Sequence, residues 1–295
     1  MIQTARSTPV APDNPATALG MRLAEFRTQA FGALLASLTG ERNVRPAQGL
    51  ADLFAAAPAS PAAGLTASGR NAALPDPESA YRMMSVINGR EVQHKAEFAE
   101  MSEMAAFLSR LADEVGKLGG IDDGTTDPAI RERLRAFVDT YNGWIDRFDE
   151  ALASGGLLAG TQAASVSQWE LEQSIENRFN GAASGLRGML DLGLTIDPHS
   201  NLASLDETRL DAVLAENRQG ALTALREFSA NFARSAELLV SEGNFVPNRL
   251  DNLARAIRYI ESHRGSLQAE FGSGDPARPA GAVAQALAAY EAMQS

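Results

Sequence analysis

The sequence predicts an all-α protein: an elongated antiparallel helical bundle with one irregular helix-turn-helix connector and flexible ends. Three observations predict it. Apolar residues return every three or four positions over long stretches between 78 and 271, the period of one buried helix face. Alanine and leucine are plentiful while aromatics make up 6% of the 295 residues, a balance that favours helices over strands. Glycine pairs and prolines fall between the periodic stretches, where helices stop and restart.

Residues 1–80 read as a flexible N-terminal segment. It holds short helix-like pieces at 16–38 (Leu19, Leu23, Phe26, Phe31, Leu34, Leu35, Leu38) and 49–57 (Leu50, Leu53, Phe54), then a Pro/Ala/Ser/Gly-rich linker at 58–77 that buries little. Residues 81–271 form the expected bundle. Its first helix runs from about 78 to 118 on Met84, Ile87, Phe98, Met101, Met104, Leu108, Leu111, Val115 and Leu118, with a polar stretch at 88–95. A second opens at Asp127-Pro128 and carries Ile130, Leu134, Phe137, Val138, Tyr141, Trp144, Ile145 and Phe148 up to Gly155-Gly156. A third is expected over 163–191 through Val166, Trp169, Ile175, Phe179, Leu186 and Leu190, with Gly181 and Gly185 spaced for close helix packing. Ser204-Leu-Asp-Glu207 fits a capping box opening a fourth. Helices over about 218–241 and after Pro247 complete the bundle. Residues 272–295 read as a linker and a short amphipathic helix with Val283, Leu287, Tyr290 and Met293 on one side. Alone that helix is too short to be stable in water, so its apolar side must dock on this chain or on a neighbour.

A formal net charge of -11 argues against nucleic acid and anionic membrane surfaces as partners. No apolar run reaches the roughly 18 residues of a membrane span, so no membrane insertion is expected. The first twenty residues lack the charged start and apolar core of a cleavable signal peptide. With no cysteine, disulfides, thiol catalysis and thiolate metal sites are excluded.

Candidate chemistry is sparse, and no catalytic residue, cofactor or metal is assigned. His94, His199 and His263 have no zinc-pair spacing, and His94 and His263 read as solvent-exposed. Asp197, His199 and Asn201 begin like a calcium loop, but Leu202 and Thr208 stand where the glycine and the glutamate are needed. An Asx-type turn between two helices is the better reading. No phosphate loop, nucleophile elbow or dinucleotide fingerprint is present. The helix methionines (Met83, Met84, Met101, Met104) read as core filling, with a partner groove as the alternative; Trp144 and Trp169 read as core.

The most specific stretch is 190–217. A helical run stops at Gly193, a short alternating piece follows (Leu194, Ile196) with room for a strand pair, and a polar turn (Asp197 to Asn201) leads to Leu202, Leu205, Asp206, Leu210 and Leu214. With Phe137, Val138, Tyr141 and Asn142 upstream and a late helix over 243–271, this order resembles the C-terminal region of the flagellar filament cap protein family, the flagellar hook-associated protein 2 family. The likeness covers roughly 100–271. Asn201 stands where that family usually has a turn glycine, and asparagine tolerates left-handed backbone better than most residues.

The resemblance implies a shortened helical relative without the strand-rich outer domains of full-length caps. It implies a structural, non-enzymatic assembly protein of the bacterial flagellum, exported to the flagellum or the exterior, with other flagellar or secretion-system proteins as partners and with self-association open. Val283, Leu287 and Tyr290 are the candidate docking residues. The alternative is a cytoplasmic helical adaptor, export chaperone or regulator.

Overall fold

The structure, a computed structural model, describes residues 64–177 and 185–295, all within one compact unit. The helix-like pieces at 16–38 and 49–57, and Phe179 and Gly181, lie outside the described residues. The regular elements of the described part are helices and one short hairpin, preceded by a turn closed by a bridge between Leu65 and Asn71. In order come α1 (Pro77–Gly119), α2 (Asp127–Leu152), α3 (Gln162–Glu176), a 3-10 turn (Met189–Leu192), β1 (Leu194–Ile196), β2 (Ala203–Leu205), α4 (Glu207–Glu216), α5 (Arg218–Val240), α6 (Phe245–Phe271) and α7 (Gly281–Gln294).

The 43-residue α1 is about 65 Å long at 1.5 Å per residue, and α2, α5, α6 and α7 all pack on it. Asp76 caps its start by accepting from the Ser79 N–H at 3.1 Å, Pro77 occupies the first turn, and Gly120 ends it. Cross-contacts fix directions. Arg133 donates to the Lys117 carbonyl near one end of α2 and Arg147 reaches Glu100 near the other, so α2 runs antiparallel to α1. On α5, Gln219 meets Asp123 and Ser229 donates to the Val115 carbonyl at 2.7 Å. On α6, Arg249 meets Glu97 and Arg264 meets Glu91. Both helices therefore run antiparallel to α1, α5 along its C-terminal half and α6 along its N-terminal half.

The two halves of α1 are held by different physics. From Met101 to Leu118 its inner face is apolar: Met101, Met104, Leu108, Leu111, Val115 and Leu118 are fully buried. They share one core with Phe137, Trp144, Phe148, Phe228 and Phe232. Phe137 meets Phe228 and Phe232 edge-on, ring centroids 5.3 and 5.2 Å apart, a favoured aromatic geometry. Upstream, a charged seam begins in the polar stretch at 88–95 and runs on to Glu100. Glu91, Glu97 and Glu100 are buried. Glu91 pairs with Lys95 at 2.8 Å and with Arg264, Glu97 with Arg249 at 2.6 Å, and Glu100 with Arg147 at 2.6 Å. Such pairs are compensated rather than strongly stabilising.

Several expectations are corrected. α3 ends at Glu176 rather than near 191, and its buried stripe is Ala163, Ala164, Ser167, Leu171 and Ile175. Trp169 lies on the opposite side, 57% exposed, because the buried face runs through Ala163, Ser167, Leu171 and Ile175 instead. Gly185 is not in a helix; its φ is 79° and nothing would meet an added Cβ. α4 opens at Glu207, capped by Asp206, which accepts from the Arg209 N–H at 3.1 Å. Ser204 belongs to β2 and pairs across the hairpin with Thr195, 2.9 Å between hydroxyls. Met83 is exposed while Met84, Met101 and Met104 are core. Gly143 stands in the interior of α2, where glycine costs about 1 kcal/mol relative to alanine.

His94 is half-buried on α1 rather than solvent-exposed, with Nδ1 buried and unpartnered. Burial first, then Arg249 and Arg90, push its pKa below the ordinary 6.5. Below pH 6.5 the unfolded chain takes up this proton more readily than the folded one, so His94's share of stability is complete above 6.5 and is lost as pH falls through its folded pKa. Glu97, pushed up by burial, acts with the opposite sign. The His94→Gln variant is expected to lose less stability on mild acidification below pH 6.5 than the parent. Parallel denaturation curves over that range would contradict this.

Candidate functional site

The connector between the 3-10 turn and α4 is where the sequence places most of its specific residues. Gly193 has φ 87° and its backbone lies close to Asp206: a Cβ there would fall 2.5 Å from the Asp206 carbonyl oxygen. The Asp206 N–H donates to the Gly193 carbonyl at 2.8 Å, and the Asp197 N–H to the Leu202 carbonyl at 2.9 Å. Between these closures β1 and β2 pair antiparallel, with Leu194 opposite Leu205, Thr195 opposite Ser204 and Ile196 opposite Ala203.

The tip is the Asx turn read from the sequence. Asp197 Oδ1 accepts from the His199 N–H at 2.9 Å, the Ser200 N–H at 2.8 Å and the Ser200 hydroxyl at 3.1 Å. These bonds hold its pKa below the ordinary carboxylate value. Asn201 has φ 56°, the left-handed geometry that glycine supplies elsewhere. His199 is exposed.

Beneath the tip the hairpin is fastened to the bundle. Leu194 and Ala203 are buried in the main core, and Ile196, Leu202 and Leu205 pack against it. Asn142, on α2, supplies a feature not evident from pattern. Its Nδ2 donates to the Ala203 carbonyl at 2.9 Å and its Oδ1 accepts the Ala203 N–H at 2.7 Å. One side-chain amide thus stands in for a neighbouring strand on the outer edge of β2. Phe137, Val138 and Tyr141 are buried on the same helix, as are Leu210 and Leu214 on α4. Tyr141 keeps its hydroxyl buried without a partner, and burial pushes its pKa up. Arg131 to Asp211 at 2.7 Å and Arg135 to Glu207 at 2.5 Å tie α2 to α4.

Val283, Leu287 and Tyr290 lie elsewhere, on α7, half-buried against α1 of the same chain. Tyr290 meets Phe98 edge-on at 5.8 Å, and Val283 packs on Ala96, Leu157 and Ala286. The preceding segment is fastened to α1 as well: Asn88 donates to the Ser273 and Asp275 carbonyls, and Tyr81 to the Asp275 carboxylate at 2.9 Å. Among the described residues no group of three His, Asp or Glu side chains is placed to hold a metal ion, and no helix is long and apolar enough to cross a membrane.

Residues 125–268, spanning α2 to α6, match the family described as flagellar hook-associated protein 2 C-terminus. That region of the chain is similar to the family's C-terminal part. The lateral flagellar hook-associated protein 2 of Vibrio parahaemolyticus is 28% identical over 103 residues, which is 34% of this chain and 23% of that protein. Flagellar hook-associated protein 2 of Salmonella typhimurium is 22% identical over 152 residues, 45% of this chain and 32% of that protein. The chain therefore spans less than a third of the length of either relative. No solved structure matches it.

Replacing Asn142 with alanine leaves both buried backbone groups of Ala203 without partners. A loss of about 1–3 kcal/mol is expected, read as a lower denaturant midpoint. Ile196→Asp, which puts a charge against the core, should lower it further. Unchanged midpoints would show that the connector is not packed as described.

Proposed function

We propose that this chain is a structural assembly protein of the bacterial flagellum, related to the filament cap and hook-associated proteins, working through helix-mediated contacts rather than catalysis. The observation that carries this reading is the family match over 125–268, because it contains both the connector and the Asn142 clamp that holds it. In this reading the chain reaches the flagellum or the exterior by export, and its partners are other flagellar or secretion-system proteins, with copies of itself among the candidates.

The connector gives such a protein a fixed joint. Its exposed tip, Asp197 to Ser200, projects from a base that is tied to α2 on one side and continues into α4 on the other. A projection with a rigid base loses little conformational entropy when it meets a partner. α7 offers a second means. Ala286 is its one buried residue, so Val283, Leu287 and Tyr290 hold α1 by a thin seam that a partner helix can replace.

Fractionation of a motile strain carrying a tagged copy tests the proposal. The chain is expected in sheared, purified filaments or hook-end material, and its deletion is expected to abolish or impair swimming. Recovery from the cytoplasm alone, with motility intact, would overturn this reading in favour of a cytoplasmic adaptor.

A further inference from the structure

α1 and α2 leave an open groove of about 470 Å³ between them, lined by Phe107, Arg110, Asp113 and Glu114 from α1 and by Asp139 and Gly143 among others from α2. Its floor is the Phe107 ring beside the bare backbone of Gly143. The ring is set from within by Trp144 and Phe148, centroids 6.0 and 5.9 Å away, and the Arg110 guanidinium lies 4.7 Å from its centroid. An added Cβ on Gly143 would stand 3.6 Å from Phe107, an ordinary contact. Alanine therefore fits at this mid-helix position and favours the helix more, so the chain's own packing does not call for glycine. Its absent side chain leaves room on the groove side of α2.

The rim is charged and under-compensated. Three carboxylates face one guanidinium. Glu114 is paired with Lys117, and Arg135, one turn before Asp139, bonds Glu207 and acts on Asp139 only through space. Asp113 and Asp139 enter none of the ion pairs among the described residues. A floor of aromatic ring and bare backbone, with one guanidinium against the ring and two acids at the rim that enter no ion pair among the described residues, selects an occupant with an apolar side chain flanked by cations. A second copy is disfavoured, because it brings the same acidic rim on a chain of net charge -11.

We propose that this groove receives a basic amphipathic helix of another protein, with one apolar side chain on Phe107 and Gly143 and lysines or arginines against Asp113 and Asp139. The proposal goes beyond the flagellar reading and does not depend on it: in vitro binding decides one, fractionation the other.

The full chain is titrated with a synthetic Leu/Lys amphipathic helix of about 18 residues, long enough to be helical in water, and with the same peptide carrying Glu for Lys. Gly143→Leu fills the floor without changing charge; Asp113→Asn with Asp139→Asn removes the rim acids without touching the floor. Binding of the Leu/Lys peptide is expected to weaken at least tenfold in each variant, with the Leu/Glu peptide not binding and Gly143→Ala melting no lower than the parent. No binding to the parent chain would overturn the proposal. Equal binding to the parent and to Gly143→Leu would also overturn it, by reducing the effect to bulk charge. Self-association of the parent that Gly143→Leu abolishes would overturn it in favour of a second copy.

Discussion

The fold depends on one apolar seam: the C-terminal half of α1 buried between α2 and α5. Six side chains from Met101 to Leu118 are fully covered there, and Phe137, Phe228 and Phe232 interlock above them with ring centroids 5.2 to 5.6 Å apart. Truncating one such residue costs about 2–5 kcal/mol, a large part of the 5–15 kcal/mol that holds a typical domain together. The other elements attach to this seam. α3 and the 3-10 turn lean on α5, and the hairpin lies against α2 and α3.

The N-terminal half of α1 is built differently. Its buried glutamates meet arginines that remain partly in solvent, and desolvation offsets most of the Coulomb gain in such pairs. They specify which helix lies where more than they add stability. α7 and the part of α6 beyond Val246 and Leu250, which reach the main core, are therefore the parts best able to separate from α1 without unfolding that core, since the parts of a fold that move come from its low-stability end. The connector belongs with the stable part, although it is irregular backbone. Every closure described within it is a hydrogen bond to itself or to Asn142, and its apolar residues reach the main core.

Much of this was legible in the sequence because period and capping are local. The stripes of α1 and α2 follow three-to-four spacing closely, and Asn201 takes the left-handed backbone its chemistry allows. What was not legible depended on partners distant in the chain. His94, in the polar stretch at 88–95, looked solvent-exposed because α6, which pairs with this part of α1 through Arg249 and Arg264, lies more than 150 residues away. Trp169 looked like core because the buried stripe on the other side of α3 begins with Ala163, Ala164 and Ser167, which carry little weight in an apolar pattern. Ser204 and Asp206 are both good helix caps; the strand pairing of Ser204 with Thr195 decided between them. Asn142 was singled out by its place in a motif, but its bond to Ala203, 61 residues on, has no signature in spacing.

Native-state hydrogen exchange tests most directly whether the connector is fastened to the seam. If it is, the Ala203 amide, bonded to Asn142, exchanges with the same opening free energy as the core amides of α2, while the Ser200 amide at the exposed tip exchanges far faster through local fluctuation. An Ala203 amide that exchanges as fast as Ser200, with α2 still protected, would contradict the account: the hairpin would then be a loose loop lying on the bundle, not part of it.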